Sequence, residues 1–239
     1  MEIDIAVAKT NKYASPESGD TLEFVERPNG GVSVVLADGQ TSGKGAKAIS
    51  MMVVRKVISL LAEGVRDGAA ARAASDTLYA ERSGKVTATL NILSADLQTG
   101  TLVITRNNPT PVFIARGDTV ECISTASQSI GTSKNIRPSI TEFPLESGIT
   151  IVIYTDGIKN AGDRSGQLID ICTLLQALLE EQEPTPQLIA DSVLNQAIRL
   201  DQGRPNDDMS IVVLHVFADE TDQIRRMTLR LPVTAPVQY

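Results

Sequence analysis

Three segments of this 239-residue chain place aspartate at the end of an apolar, β-branched run. They are Val34-Val35-Leu36-Ala37-Asp38-Gly39, Ile151-Val152-Ile153-Tyr154-Thr155-Asp156-Gly157 and Asn206-Asp207-Asp208-Met209-Ser210-Ile211-Val212-Val213-Leu214. Runs this short read as buried strands, whose rigid backbone can hold side chains from distant parts of the sequence at one rim of a sheet. Carboxylates gathered within ~4 Å of each other repel by a few kcal/mol per pair at an effective dielectric near ~20. Such a cluster therefore implies bound cations or raised pKa values. Built of aspartates alone, it is a hard, all-oxygen site, suited to Mg²⁺ or Mn²⁺ and poorly suited to zinc or copper. Two such ions about 3.5–4 Å apart ease the deprotonation of a shared water and direct it in line at phosphorus. Gly39 lets the backbone approach an ion closely, which makes its carbonyl a further candidate ligand.

Other chemistries fit less well. His215 is the single histidine, which excludes histidine-rich zinc sites and leaves a Ser/His/Asp triad one candidate base. It lies inside Ile211-Val212-Val213-Leu214-His215-Val216 and reads as a structural strand residue. The glycines from Gly39 to Gly45 precede a helix, as in phosphate-cradling loops, but the P-loop spacing is absent: three residues rather than four separate Gly39 from Gly43-Lys44, and Gly45 follows the lysine. Lys44 is kept as a possible contact for a substrate phosphate near the helix start. Asp67-Gly68 reads as a tight turn linking two helices.

Composition bounds the rest. With 42% hydrophobic and 21% charged residues, one globular domain with a sizeable core is expected. A net charge of −7 argues against general nucleic-acid binding. No apolar run reaches the roughly eighteen residues of a membrane span, and the N-terminus lacks the regions of a secretory signal, so a soluble cytoplasmic protein with no membrane partner is expected. Cys122 and Cys172 sit singly in apolar surroundings and are read as two buried free thiols.

The elements that position the aspartates follow from periodicity. Residues 2–9, 21–27 and 31–37 read as strands, the last two joined at Pro28-Asn29-Gly30-Gly31. A first helix follows Gly45, with Ala46, Ile49, Val53, Val57, Leu60 and Leu61 on one face and Gly64 as its stop. A second, alanine-rich helix covers about 68–82, and Gly84 ends it. Between Lys85 and Tyr154 the turn signals delimit about six strands. Helices are expected over 167–180 and 186–200, the latter capped by Thr185 with Pro186 in its first position, and then a strand over 209–216. This order predicts an α+β protein, an α/β/β/α four-layer sandwich of two antiparallel sheets flanked by helices. Residues 1–217 form the domain, and 218–239 an extension with one possible edge strand over 226–233.

Taken together, Asp38-Gly39-Gln40-Thr41-Ser42-Gly43-Lys44-Gly45-Ala46, Tyr154-Thr155-Asp156-Gly157-Ile158 and Asp207-Asp208-Met209-Ser210 resemble the motifs of the metal-dependent protein serine/threonine phosphatases, the PPM or type 2C family. The resemblance is to its compact bacterial branch, typified by the stage II sporulation phosphatase, and spans residues 5–217. Ser18-Gly19-Asp20 is similar to the family's early Gly-Asp. The resemblance implies two Mn²⁺ or Mg²⁺ ions, with Asp38 bridging them, Gly39 adding its carbonyl, Asp156 and Asp207 on the first ion and Asp20 on the second. Asp38 and Asp156 would act in catalysis through an ion-activated water. Of the Asp207-Asp208 pair the family uses the first.

Two departures stand out. Thr41 occupies a usual glycine, and threonine tolerates positive φ poorly. Arg106-Asn107-Asn108-Pro109-Thr110-Pro111 replaces a segment that carries histidine in many relatives, so no general acid is assigned there. The implied function is hydrolysis of phosphoserine or phosphothreonine on a protein substrate, such as an anti-sigma factor antagonist in a partner-switching pathway, with a regulatory protein as a further partner. The alternative is a phosphatase-like module, weakened in turnover, that sequesters a partner.

Overall fold

The computed structural model describes residues 1–117, 119–181, 184–218 and 224–232. Ten strands are described: β1 (Glu2–Thr10), β2 (Asp20–Glu26), β3 (Gly31–Gly39), β4 (Ala88–Asp96), β5 (Thr101–Asn107), β6 (Val112–Arg116), β7 (Thr119–Ile123), β8 (Ser139–Pro144), β9 (Ile149–Tyr154) and β10 (Met209–Phe217). The helices are α1 (Gly43–Ala62), α2 (Asp67–Arg82), the short α3 (Asp156–Lys159), α4 (Ile171–Glu181) and α5 (Pro186–Leu200). Two five-stranded antiparallel sheets form, in the orders β1-β10-β9-β6-β7 and β2-β3-β4-β5-β8. The six expected strands between Lys85 and Tyr154 are β4 to β9.

Strand alternation builds the layers. On β3, Val34 and Leu36 enter the core between the sheets, while Val35 and Ala37 pack under α1 and α2. On β10, Val212, Leu214 and Val216 enter the inter-sheet core, while Ile211 and Val213 pack against α4 and α5. Both faces of the central strands are thus buried, which explains their unbroken apolar text. The α/β/β/α sandwich is observed, with three apolar cores between four layers.

Local chemistry sets the element ends. The β2–β3 hairpin closes with Gly30 N–H donating to Arg27 O (3.0 Å), and Gly30 and Gly31 take φ of 85° and 91°. Thr185 caps α5, its Oγ1 accepting from Leu188 N (3.2 Å), with Pro186 following as expected. α4 starts at Ile171 rather than 167, because the Asp170 carboxylate accepts from Thr173 N (3.0 Å) and Thr173 Oγ1 (2.7 Å).

Three expectations are corrected. Asp67 is no turn residue: it opens α2, is 6% exposed, and its carboxylate pairs with Arg27 and accepts from Ser94 Oγ. Cys122 is exposed and Cys172 half-buried, since β7, which carries Cys122, is an edge strand. Residues 226–232 carry no strand, and Val233 lies outside the described residues. Among the described residues no helix is long and apolar enough to cross a membrane.

Candidate functional site

Strand β3 runs through Asp38 to Gly39, so Asp38 is held inside the ladder, opposite Asp20 on β2 and Thr89 on β4. Side chains alternate along a strand, so Asp38 shares the inter-sheet face with Val34 and Leu36. The same parity on β9 carries Ile149, Ile151 and Ile153 on to Thr155, and on β10 carries Val212 back to Ser210. One end of the inter-sheet core therefore changes from apolar to oxygen-rich. Asp20, which is fully buried, crosses it: its Oδ2 accepts from Ser210 Oγ (2.6 Å) and Thr155 Oγ1 (3.0 Å) of the other sheet.

The charges of Asp156 and Asp207 act on Asp38. Burial first, and then the charges of Asp20, Asp156 and Asp207, push the Asp38 carboxyl up to about 9. Asp20 is raised to about 6 by burial, against the lowering effect of Ser210, Lys9 and Thr155. Asp207 is raised by burial and by Asp156, against its bond from Asp208 N. Asp38 thus feels the charges of three other aspartates singled out in the sequence.

The glycines beside them are required by packing. A Cβ on Gly39 would lie 2.1 Å from the Ala46 carbonyl of α1, and one on Gly157 would lie 2.1 Å from the Asp208 carbonyl. Gly19 is less tight but still too close for a side chain, with Ala46 Cβ 2.8 Å and Asp208 Oδ2 3.3 Å from such an atom. The Asp-Gly pairs thus bring helix, loop and strand ends close to the carboxylates.

Several contributors were not legible beforehand. Asp208 is 4% exposed, and its two oxygens accept from Lys12 N (2.9 Å) and Gly19 N (2.7 Å), tying the segment before β2 to the start of β10. Asp207 is left as the less committed member of the pair. Asp201, after α5, accepts from Gly162 N (2.9 Å), Asn206 N (2.7 Å) and Asn206 Nδ2 (2.8 Å), joining the loops that carry Asp156 and Asp207. Lys9 Nζ and Lys47 Nζ both donate to Asp20 O, at 2.7 and 2.8 Å. Lys44 is exposed in the first turn of α1, and Lys47, one turn on, is the lysine of that helix bonded at the site.

The two departures also take definite forms. Thr41 adopts φ 82°, the backbone a glycine would take. The buried Arg106 donates to the carbonyls of Thr110 (2.9 Å), Ile123 (3.2 Å) and Thr125 (2.7 Å), and Asn108 Oδ1 accepts from Thr110 N (2.9 Å). The Arg106 guanidinium is thus spent on holding loops, while Asn107 Oδ1 and Thr110 Oγ1 are buried without a hydrogen-bond partner among the described residues. His215 bonds Thr150 Oγ1 through Nδ1 (2.8 Å) within the sheet, a structural position as expected.

The donor set suits a hard cation. Asp20 Oδ1 is buried with no hydrogen-bond partner among the described residues, and the neighbouring carboxylates resist ionising together. Among the described residues no group of three or more acidic, histidine or cysteine side chains stands placed to hold a metal ion.

A family model described as stage II sporulation protein E (SpoIIE) matches residues 28–217. Stage II sporulation protein E of Priestia megaterium is 24% identical over 211 residues, covering 88% of this chain and 36% of that protein. The chain thus spans about a third of the length of that curated relative. The structure of the PP2C phosphatase domain, with a fragment of the regulatory domain, of SpoIIE from Bacillus subtilis superposes with a TM-score of 0.77 at 22% identity, over 90% of this chain and 64% of that one. RsbX in complex with magnesium superposes with a TM-score of 0.67 at 15% identity, over 89% of this chain and 94% of the other. These structural likenesses establish the fold.

Proposed function

Because the chain belongs to the stage II sporulation protein E family, we propose that it is a metal-dependent protein serine/threonine phosphatase with its site at Asp20, Asp38, Asp156 and Asp207. The observation that carries this reading is the direct pairing of Asp20 and Asp38 at the oxygen-rich end of the inter-sheet core, where the charges of Asp156 and Asp207 also act on Asp38. The type 2C phosphatase fold of the SpoIIE domain and the magnesium held by RsbX support it. In the proposed site Asp38 would be shared between two Mn²⁺ or Mg²⁺ ions, Asp156 and Asp207 would hold the first, Asp20 the second, and the Gly39 carbonyl would be a further ligand. When bound, such ions lower the pKa of coordinated water and offset the negative charge of a phosphoryl group.

The chain's own residues do the rest. Antiparallel pairing holds Asp38 and Asp20 side by side, and Asp201 keeps the Asp156 and Asp207 loops in register. The ammonium groups of Lys9 and Lys47, anchored on Asp20 O, add positive charge on the β2 side, favourable to a dianionic phosphoester. The Arg106–Pro111 segment, which carries no histidine and whose arginine is committed to loop carbonyls, is assigned no proton donor in this reading. Thr41 keeps the backbone that glycine would adopt, which argues against a module that has lost turnover through a rearranged loop.

The substrate proposed is a phosphoserine- or phosphothreonine-bearing protein, specifically a small anti-sigma factor antagonist in a partner-switching pathway, with a regulatory protein as second partner and the cytoplasm as location. The test is phosphate release from phosphoserine, phosphothreonine and phosphotyrosine peptides with Mn²⁺, Mg²⁺ or chelator. Metal-dependent release from the first two supports the reading; release unaffected by chelator, or none from phosphoserine and phosphothreonine with either ion, contradicts it.

A further inference from the structure

We propose that Thr155 and Ser210 are positioning residues: their hydroxyls clamp Asp20 Oδ2 across the gap between the two sheets and reserve Oδ1 for a divalent cation. This rests on the reading of Asp20 as an ion ligand. Nearly every other polar atom of Asp20 is engaged. Its N–H donates to Ser18 Oγ (3.2 Å), its carbonyl accepts from Lys9 and Lys47, and its Oδ2 accepts from both hydroxyls. Oδ1 alone receives no bond from a backbone, ammonium or hydroxyl donor among the described residues, although Asp20 is fully buried; in the metal-free protein the Asp20 carboxylate is bonded besides only by the Asp38 carboxyl, whose proton a cation would replace. A buried carboxylate oxygen without a donor is costly, and a cation removes that cost.

Thr155 Oγ1 accepts from Ser210 N (3.0 Å), and of its two acceptors Asp20 Oδ2 at 3.0 Å is nearer and charged, against Ser210 O at 3.5 Å, so its proton goes to Asp20. Ser210 Oγ gives its proton to the same oxygen at 2.6 Å, a charge-assisted length. The backbones of the two residues are themselves bonded, Thr155 N to Ser210 O at 3.0 Å, so the hydroxyl pair is a rigid unit of the β9–β10 sheet. Asp20 belongs to the opposite sheet, 135 residues from Thr155 and 190 from Ser210. The clamp thus connects the sheet that carries Asp20 and Asp38 to the one that leads into Asp156 and Asp207. It gives a physical reason for a hydroxyl residue immediately before Asp156 and another two residues after Asp208.

The test measures Mn²⁺ binding by the whole chain, from the spin-resonance signal of free Mn²⁺, alongside hydrolysis of a phosphoserine peptide. Thr155→Val and Ser210→Ala are expected to weaken Mn²⁺ binding by roughly 10–100-fold, the usual cost of losing a group that orients a ligand. The hydroxyl-retaining Thr155→Ser and Ser210→Thr should stay close to wild type, and melting curves in chelator check that each variant folds. The Mn²⁺ concentration for half-activation should rise with the affinity loss, while kcat at saturating Mn²⁺ changes far less. Folded Thr155→Val and Ser210→Ala that bind Mn²⁺ like wild type overturn the clamp, even if the wild type is an active phosphatase. Weakened binding in those variants, restored by the hydroxyl-retaining ones, supports the clamp even if the wild type hydrolyses no phosphoester.

Discussion

Asp20 and Asp38 are directly paired residues of the antiparallel β2–β3 ladder, the first residue of one strand facing the penultimate residue of the next. Like charges directly opposite one another destabilise a sheet. Here they sit where Asp156 and Asp207 add more negative charge, so the pairing is unfavourable for the fold without cations and favourable for holding them.

Asp38→Asn should therefore abolish metal-dependent hydrolysis and stabilise the chelated protein. Relief of about 1 kcal/mol corresponds to a rise of about 2–4 °C in Tm for a chain of this size. Differential scanning calorimetry in chelator, beside a peptide assay with Mn²⁺, checks both effects; a lowered Tm argues against clustered carboxylates.

The pH dependence of the chelated protein follows from the same groups. Asp38 and Asp20 are raised to about 9 and about 6, above their ordinary value of 3.8, so the folded state binds more protons than the unfolded state between those limits. Stability is then present at the acid end of the window and declines as pH rises through it, with no further loss from Asp38 above its folded pKa. Denaturant midpoints from pH 5 to 9 in chelator should fall, and saturating Mn²⁺ should flatten the trend because it replaces the protons.

Thr41→Gly should raise stability. A non-glycine residue held at φ 82° costs about 1–3 kcal/mol, against about 0.5–1 kcal/mol for the added freedom of glycine in the unfolded chain. A net gain of about 1 kcal/mol, read as a Tm increase of about 2–4 °C, is expected with activity retained. No gain would mean that the loop does not hold Thr41 in that conformation.

The buried Arg27–Asp67 pair separates stability from chemistry. Its side chains are 9% and 6% exposed, and Arg27 also donates to Ser33 Oγ (3.2 Å) and Val65 O (3.1 Å). Ser94, which bonds Asp67, lies five residues along β4 from Thr89, the neighbour of Asp38, a distance of about 17 Å at ~3.3 Å per residue. Arg27→Met leaves Asp67 buried without its counter-charge and should cost about 3–5 kcal/mol. Below its lowered Tm the variant should keep the wild-type KM for Mn²⁺ and for peptide.

What the sequence disclosed follows a physical division. Asp38, Asp156 and Asp207 were legible because each ends an apolar run whose period of two decides which way side chains face. The three cores follow from that same alternation on β3 and β10. The roles of Asp208, Asp201, Lys9 and Lys47 were not legible, because each depends on how segments far apart in the chain meet. Asp208 reaches Lys12 across 196 residues, and no local pattern announces that bond. Asp67 was misread for the same reason, since Asp-Gly is a turn signal locally and only Arg27, 40 residues away, makes it a helix-opening ion pair.

The most direct test of the central claim compares para-nitrophenyl phosphate hydrolysis by wild type and Asp156→Asn across a Mn²⁺ titration, with chelator as the zero point. Turnover that rises with Mn²⁺ in the wild type and is lost in the variant is the predicted result. Equal turnover in the two proteins, or wild-type turnover that persists in chelator, would contradict a metal-dependent phosphatase centred on these aspartates.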